Sequence, residues 1–486
     1  MKALRLSKKW WVLAAIGFLL VLVILKILLV LNGKPKVTVN YVAEYNRITR
    51  PENYDPNDNA APYYQKAFDV FVEMPKGLRN PYINWPADFN STEQAKLEEW
   101  LASNSQAFEY LKIAANRPYY WLKRHSPQDN NISGVLVTEL NPLRHLIKAL
   151  SWNAKLAASR GRPIAAFDNI LECYRAGRQK YRTPSFLVDQ VVGMDGKEIA
   201  AESALIILDN THFDSSDLKI FQDKLQEEFD DDSYVPDFTV RKLSLYDALQ
   251  RSFVYNSRGT GRLAVDESFA EMTNFDRKVR LYYDCFFGPT RNQIACQIEK
   301  ATAISKQIMT KTPWQIKNEG LDYFEEIAEI KGSNFFFECF LLEPDSIFHT
   351  YYKTRAQTEA LIAVVAILRF EADNHRFPKS LKELVSAGYL ESVPADPYSD
   401  GPLVYKPTED NFKIYSVGRN FSDDDGSDEP AMKQVLGLRG TYTSSCGYPL
   451  DIVYWPHKDL MKLRSEEMAA KGTETLKKIK ELDQVK

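Results

Sequence analysis

A 22-residue apolar run near the N-terminus constrains this chain more than any other feature. From Trp10 to Leu31 the only charged residue is Lys26. A helix of this length rises about 33 Å, which is enough to cross the hydrocarbon core of a bilayer. Lys26 is close to the end of the run, where its aliphatic stem can carry the ammonium group to the interface. The run therefore predicts a transmembrane anchor over residues 10–31.

Two other interpretations of the apolar run are weaker. The apolar region of a cleaved signal peptide is normally about 7–15 residues long and ends at a small-x-small site. The exit sequence LLVLNGKPK contains no such site. A soluble core helix seldom stays apolar on every face. We therefore expect the anchor to be retained.

The charge distribution predicts how the chain is oriented. Residues 1–40 contain seven Lys or Arg and no acid, although the whole chain has a formal net charge of −3. More of these basic residues precede the apolar run than follow it, which favours a cytoplasmic N-terminus. We expect a single-pass protein of the bacterial cytoplasmic membrane with an extracytoplasmic, acidic body. The nearly balanced total of 62 Lys and Arg against 65 Asp and Glu excludes a globally basic nucleic-acid binder.

The cysteines allow one local disulfide in an exported body. The chain has five cysteines, so at least one stays unpaired. Only Cys285 and Cys296 are close in sequence, and Gly288 and Pro289 between them could turn the chain. No CxxC or Cys/His spacing predicts a zinc site.

Helical periodicity dominates residues 37–350, after a short strand predicted at VTVNYV. One helix is predicted from Asn141 until Gly161, and a second starts at Pro163, so the two should pack as an antiparallel hairpin. A third helix should follow Thr183 and a fourth should follow Asp214.

Two glycines complicate the third predicted helix. Gly193 and Gly196 lie within its apolar pattern and could interrupt it. The preceding hairpin, ALSWNAKLAASRGRPIAAFDNILECYRAGR, resembles a tetratricopeptide-type helical hairpin. The match covers about one repeat, whereas a stable array needs about three. A generic helical core is favoured, and a tetratricopeptide-like scaffold is the alternative.

Catalytic signatures are poor. Gly259, Gly261 and Ala264 have the order of a dinucleotide fingerprint, but they follow a helical pattern where a strand is required. No HExxH or GxSxG motif occurs. A catalytic group assembled from distant positions escapes such a search. An envelope hydrolase with its site in the helical domain therefore stays an alternative.

Residues 351–457 predict a small α+β domain. An Ala-, Val- and Ile-rich helix is followed by a short helix, a Pro/Gly turn at ADPYSDGP and three short strands at PLVYKP, NFKIYSVG and LDIVYWP. A helix packed on an antiparallel sheet is the expected fold. The predicted domains are a cytoplasmic stub with the transmembrane helix over 1–36, the mainly α-helical domain over 37–350, this module, and a charged helical tail over 458–486.

An acidic loop lies between the second and third predicted strands. The sequence RNFSDDDGSDEP places five acids within seven residues. Their mutual repulsion is costly unless they are solvated or neutralised. Oxygen ligands on a Gly-bearing turn are typical of calcium sites. Composition alone favours a solvated loop, with calcium binding as the alternative.

The run from about Thr354 to Pro456 resembles the globular domain of the major pseudopilins of type II secretion. It contains RFPKSLKELV, GYLESVPADPYSDGPLVY, FKIYSVGRNFSDDDGSD and DIVYW in the family's order. The resemblance implies that the acidic loop binds calcium. The residues at the corresponding positions are Asn420, Asp423, Asp425, Asp428 and Asp451.

The chain departs from pseudopilins at its N-terminus. Gly17-Phe18 lies inside the apolar run, with Leu22 where a pilin has Glu, and about 320 residues separate the anchor from the module. We therefore expect neither pilin processing nor entry into a filament. The overall order is similar to that of large uncharacterised bacterial envelope proteins. The sequence predicts a membrane-anchored extracytoplasmic protein with protein partners, a protein-interaction or secretion-associated component.

Overall fold

The computed structural model describes residues 15–21, 24, 33–78, 85–182, 184–230, 234–264, 275–332, 334–341, 344–427 and 451–456. Within these ranges the chain is mainly helical and has one three-stranded antiparallel sheet. Across them, no helix has the length and apolar character needed to cross a bilayer. Most of the predicted anchor, the charged tail and Cys446 lie outside the described residues.

The helices of the body follow one another with short connections. They are α1 Tyr41–Thr49, α2 Ala61–Val70, α3 Ser91–Ser103, α4 Ser105–Ala115, α5 Leu140–Ser159, α6 Pro163–Tyr181, α7 Leu187–Asn210, α8 Ser215–Asp230, α9 Thr239–Ser252, α10 Phe275–Phe286, α11 Arg291–Ile308, α12 Pro313–Asn318, α13 Tyr323–Gly332 and α14 Phe335–Phe340. The C-terminal elements are α15 Asp345–Asn374, α16 Leu381–Ser386, β1 Val404–Pro407, β2 Phe412–Ser416 and β3 Ile452–Trp455.

The predicted hairpin and the two helices after it are confirmed as α5 to α8. Gly161 has a φ of 67° at the turn between α5 and α6, a conformation that glycine adopts without strain. The strand predicted at residues 37–42 is wrong. Asn40 instead caps α1, because its side-chain oxygen accepts a hydrogen bond from the amide of Ala43 at 2.9 Å.

Helix α7 is continuous through both glycines that could have interrupted it. Its Gly193 and Gly196 face Gly177 of α6. A Cβ atom built on Gly177 would lie 2.7 Å from the carbonyl oxygen of Gly193 and 2.7 Å from the amide nitrogen of Lys197. The three glycines therefore let the backbones of α6 and α7 approach closely.

Two hydrophobic cores hold the described residues together. The first core joins α2 to α8 with the second half of α15, α16 and the sheet. The second core joins α9 to α14 with the first half of α15. Helix α15 belongs to both cores, since Phe348 is buried in the second and Val364 in the first. Apolar contacts thus continue across residue 350, and the domain boundary placed there stays a prediction.

The C-terminal module has the predicted order of parts. Its strands are paired in the order β1-β2-β3, all antiparallel, and α15 packs on β2 and β3. The buried carboxylate of Asp396 accepts hydrogen bonds from the hydroxyl of Ser416 at 2.7 Å and the amide of Val417 at 2.9 Å. This joins the Asp-Pro-aromatic turn to the Tyr-Ser-Val-Gly strand end, so the two motifs form one structural unit.

The local disulfide considered above is not present. Cys285 and Cys296 are both free thiols, the first buried in the second core and the second exposed on α11. Burial raises the pKa of Cys285 to about 12, which makes its thiolate scarce near neutral pH.

Candidate functional site

The acidic loop leaves β2 through a short 3-10 turn, Gly418–Asn420, and returns at Asp451, just before β3. Asp451 is buried, and its carboxylate accepts hydrogen bonds from the amides of Gly426 at 2.7 Å and Asp424 at 3.1 Å. The side-chain amide of Asn420 donates to the carboxylate of Asp424 at 2.5 Å. Asn420, Asp424 and Asp451 are therefore brought together.

Two other predicted ligands face a lysine. Asp423 accepts hydrogen bonds from the hydroxyl of Tyr415 at 2.7 Å and the amide of Asp425 at 2.9 Å. Asp425 contacts the ammonium of Lys406 at 2.5 Å, and Asp423 lies 3.8 Å from the same nitrogen. The hydrogen bond from Lys406 lowers the pKa of Asp425. Lys406 thus already neutralises part of the negative charge on this side of the loop.

Asp451 has no comparable cation in the contacts described above. Burial is the main cause that raises its pKa to about 6, and the charges of Asp424 and Asp423 act in the same direction. The two backbone amides that it accepts from oppose this shift only in part. A cation beside Asp451 would favour the ionised carboxylate and so compete with the proton.

The structure brings two of the five predicted ligands, Asn420 and Asp451, together with Asp424 at one side of the loop. Within the described ranges, no three His, Cys, Asp or Glu side chains are arranged to hold a metal ion. Asp428, the fifth predicted ligand, lies outside those ranges. Asp424 is a member that sequence reasoning left out, although it belongs to the same acidic run.

A second polar cluster lies buried in the helical body. We call Arg124, Glu139, Lys180 and Asp189 the buried tetrad. Arg124 precedes α5, Glu139 is the residue before α5 begins, and the other two lie on α6 and α7. All four side chains are at most 9% exposed.

Each cation of the buried tetrad contacts both anions. A guanidinium nitrogen of Arg124 lies 2.5 Å from Glu139 and 3.4 Å from Asp189. The ammonium of Lys180 lies 3.1 Å from Glu139 and 2.7 Å from Asp189. The same ammonium sits 3.9 Å above the ring centroid of Tyr120. The formal charges of the cluster sum to zero, as a buried site requires.

The charges of the buried tetrad control its protonation. Burial alone would raise the pKa of Glu139, but the hydrogen bond from Arg124 and the charges of Lys180 and Arg124 outweigh it and lower that pKa to about 2. Burial alone would lower the pKa of Lys180, but Asp189 and Glu139 outweigh it and raise that pKa. Glu139 and Lys180 are thus ionised at neutral pH.

A small cavity adjoins the tetrad. Its volume is about 10 Å³, and its lining includes Arg124, Lys180, Ser185 and Asp189. Within the described part of the chain, three buried atoms at this cavity have no hydrogen-bond partner, namely Nε of Arg124, Oγ of Ser185 and Oδ2 of Asp189. A cavity of this size has room for one water molecule, which could bond to a donor, a hydroxyl and an acceptor here.

Little in the local sequence predicts the buried tetrad. Arg124 and Asp189 are 65 residues apart, and Glu139 and Lys180 are 41 apart. The available signal is Lys180, which lies on the same helix face as Cys173 and Gly177. A charged residue is unexpected on such a face, because lysines are seldom buried. That signal identifies a buried cation but not its partners.

Comparison with known proteins adds no relative. No protein-family model, no curated protein and no solved structure matches the chain. The resemblances to pseudopilins and to tetratricopeptide hairpins therefore rest on the sequence motifs alone.

Proposed function

We propose that this chain is a single-pass envelope protein whose extracytoplasmic body is held close to the membrane and binds other proteins. The observation that carries the proposal is the surface of the described part of the apolar run. Residues 15–21 are helical, and every one of them is exposed. Seven consecutive helical residues cover the whole circumference of a helix, so this helix is apolar and uncovered on all sides. A bilayer is the solvent that such a surface suits.

The chain between the apolar run and α1 supports a fixed attachment of the body. The side-chain oxygen of Gln250 accepts hydrogen bonds from the amides of Thr38 and Val39, both at 3.0 Å. Its side-chain nitrogen donates to the carbonyl of Val39 at 2.8 Å. Gln250 is 1% exposed. The segment that would leave the membrane is thus bonded to α9 rather than hanging as a free linker.

The contacts between the C-terminal module and the helical body favour docking to partners over assembly into a filament. The amide of Trp314 in α12 donates to the carbonyl of Pro397 at 3.0 Å, and Gln222 of α8 donates to the carbonyl of Tyr389 at 2.7 Å. In pilins the module helix continues into the membrane, whereas here the first half of α15 is buried in the second core. The helical body and the module would therefore present one joint surface to partners.

Membrane fractionation of cells that express the full chain tests the anchor. We expect the protein to stay in the membrane fraction after alkaline carbonate extraction. A phosphatase that is active only outside the cytoplasm should be active when it is fused to the C-terminus. A fluorescent protein that folds only in the cytoplasm should not fluoresce at the same position, because the body would be outside. Release by carbonate, or the opposite pair of reporter signals, would overturn the anchor or its orientation. The protein should also be crosslinked in cells, solubilised and purified. If it then elutes without a stoichiometric partner, this result would count against the interaction function.

We also propose that the acidic loop binds calcium. The supporting observation is that the buried carboxylate of Asp451 lies within the loop, where it accepts from the amides of Asp424 and Gly426, and that Asn420 contacts Asp424. Asn420, Asp424 and Asp451 would supply oxygen ligands, and the ion would neutralise the loop without taking part in any reaction. Millimolar calcium should raise the melting temperature of the full chain more than equal magnesium does, since binding to the native state stabilises it.

A pair of matched variants sharpens the calcium experiment. Asp451→Asn should abolish the calcium-dependent rise in melting temperature. Asp410→Asn, in the exposed turn between β1 and β2, should leave that rise intact. An unchanged melting temperature of the unmodified protein at millimolar calcium would remove the proposal.

A further inference from the structure

We infer that the exposed face of α10 is a second membrane contact, which lies in the interface of the same bilayer that the anchor enters. This inference rests on the proposed membrane attachment and adds to it an orientation of the body. The occupant to which it commits is a phospholipid surface. Three features support this occupant: the apolar residues exposed on α10, the separate buried face of the same helix, and the contact between Tyr255 and the segment after the apolar run.

Helix α10 carries an apolar and aromatic stripe that faces away from the protein. Phe275, Val279 and Tyr282 follow the spacing i, i+4, i+7, which places them on one helix face. Phe275 is 78% exposed and Val279 is 53% exposed. Tyr283, beside the stripe, is 60% exposed.

The same helix has its own buried face, so the stripe is additional to what packing requires. Leu281, Asp284 and Cys285 are buried on the side opposite to the stripe. Asp284 accepts a hydrogen bond from the amide of Phe335 at 2.6 Å, which ties α10 to α14. Large exposed apolar surfaces of this kind mark contact sites on folded proteins.

The stripe lies near the point where the chain would leave the membrane. Lys34 is three residues after the apolar run and accepts, through its carbonyl, a hydrogen bond from the amide of Tyr255 at 3.2 Å. Arg291 stacks over the ring of the same tyrosine, 5.5 Å from its centroid. Arg291 follows the exposed Phe287 by four residues, a separation of at most about 15 Å.

This geometry restricts which side of the body can face the bilayer. Lys34, three residues after the apolar run in sequence, is bonded to Tyr255, so the described chain starts beside that residue. The membrane surface is then on the side where Phe287 and the C-terminal end of α10 lie. An aromatic stripe on that side would lie in the lipid headgroup region, where aromatic side chains are enriched.

The charges around the stripe suit a phospholipid surface. Helix α10 contains Arg277, Lys278 and Arg280 together with the exposed Asp276, and Lys36 lies over the ring of Tyr255 at 5.3 Å. Glu338 offsets part of this charge, since it contacts Arg277 at 2.8 Å and Arg280 at 4.0 Å. Arg277 and Arg280 therefore face the protein, and Lys278 and Lys36 are the basic residues available to lipid phosphates. Basic residues beside an aromatic and aliphatic face are typical of helices that lie in a membrane interface.

Lipid quenching of a site-specific fluorophore tests the inference on the full chain in nanodiscs of zwitterionic and anionic phospholipid. The exposed Cys296 and Cys339, together with Cys446, are first replaced by serine. Single cysteines are then introduced as Val279→Cys on the stripe, Ile220→Cys on α8 and Leu20→Cys in the apolar run. Ile220 is 44% exposed and belongs to a helix of the first core, which makes it the matched control.

We expect spin-labelled lipid to quench the label at position 279 several-fold more than the label at position 220. Adding Phe275→Ser and Tyr283→Ser should reduce the quenching at 279 towards that at 220 while leaving position 20 unchanged. Both positions are exposed, and an unchanged melting temperature would confirm that the fold survives.

The label at position 20 separates the two proposals. Strong quenching at 20 with none at 279 would overturn the α10 contact alone. No quenching at 20 would overturn the anchor, and quenching at 279 would in that case still support a peripheral contact. If 279 is unquenched by lipid and Val279→Asp abolishes a stoichiometric protein complex, the stripe binds a protein and the bilayer inference is wrong.

Discussion

The ammonium nitrogen of Lys180 lies 2.7 Å from a carboxylate oxygen of Asp189, with side-chain exposures of 3% and 0%. Replacing one partner of a buried pair leaves the other charge uncompensated. Lys180→Met should therefore lower the free energy of unfolding by about 3–5 kcal/mol, as measured by urea denaturation.

A surface pair provides the control for this variant. Lys224 contacts Asp168 at 2.9 Å, but the two side chains are 42% and 50% exposed. Lys224→Met should cost at most about 1 kcal/mol. The double variant Lys180→Met with Asp189→Leu should recover part of the loss because it removes both charges. Equal losses for the buried and surface lysines would contradict the burial argument.

The buried tetrad also predicts a pH dependence of stability. The pKa of Glu139 is lowered from 4.5 to about 2 by Arg124 and Lys180 against the effect of burial. Its contribution to the free energy of unfolding is present above pH 4.5 and is lost as the pH falls towards 2. Glu139→Gln should flatten the acid branch of the stability curve in this window. Glu109→Gln, on the surface, should leave that branch unchanged.

The close crossing of α6 and α7 predicts a large difference between two glycine substitutions. In Gly177→Ala the new methyl group would meet backbone atoms at 2.7 Å, so the helices must separate at a cost of about 1–3 kcal/mol. Gly332→Ala meets nothing within 4 Å and should be neutral or slightly stabilising. Thermal melting of both variants compares them, and equal melting temperatures would show that the crossing is not tight.

The raised pKa of Asp451 predicts a pH dependence of stability that is opposite in sign to that of Glu139. Its pKa is raised from 3.8 to about 6, mainly by burial, so the folded protein holds this proton more tightly than the unfolded chain. The resulting stabilisation is present below pH 3.8 and is lost as the pH rises towards 6. Without calcium, Asp451→Asn should remove this decline, because the amide oxygen can still accept the backbone hydrogen bonds. Retention of the decline would assign it to another group.

The bonds from Gln250 predict how firmly the segment before α1 is held. Gln250→Leu removes the partners of the Thr38 and Val39 amides and should lower the free energy of unfolding by about 1–3 kcal/mol. Trypsin should then cleave after Lys36 faster than in the unmodified protein. Gln65→Leu, which loses only a surface bond to Asp69, is the control. Equal cleavage rates would mean that other contacts hold the segment.

Local sequence patterns predicted most of the secondary structure that could be compared. The four helices from Leu140 to Asp230 and the three strands of the module lie on the segments that caps, glycines and apolar periodicity indicated, although the strands are shorter than predicted and the third helix starts at Leu187. These signals are read within one or two turns of chain. The strand predicted before α1 failed because β-branched residues at 37–39 outweighed the capping signal of Asn40.

The candidate sites were less predictable, for a physical reason. The acidic composition of the loop was evident, but which carboxylates would be neutralised depended on Lys406 of β1 and on the burial of Asp451 before β3. Asp425 faces that lysine, and Asp424 takes the place beside Asp451. A charge pattern gives the number of acids, while their protonation depends on neighbours distant in sequence.

The sequence by itself determined the apolar run, the helical periodicity of the body and the order of parts in the module, because each depends on residues that are neighbours along the chain. Only the tertiary structure decided that Arg124, Glu139, Lys180 and Asp189 form one buried cluster, since they come from separate segments. It also decided that α10 buries Leu281 and exposes Val279. Burial is a property of the packed chain, and periodicity alone cannot say which of two apolar faces the protein covers.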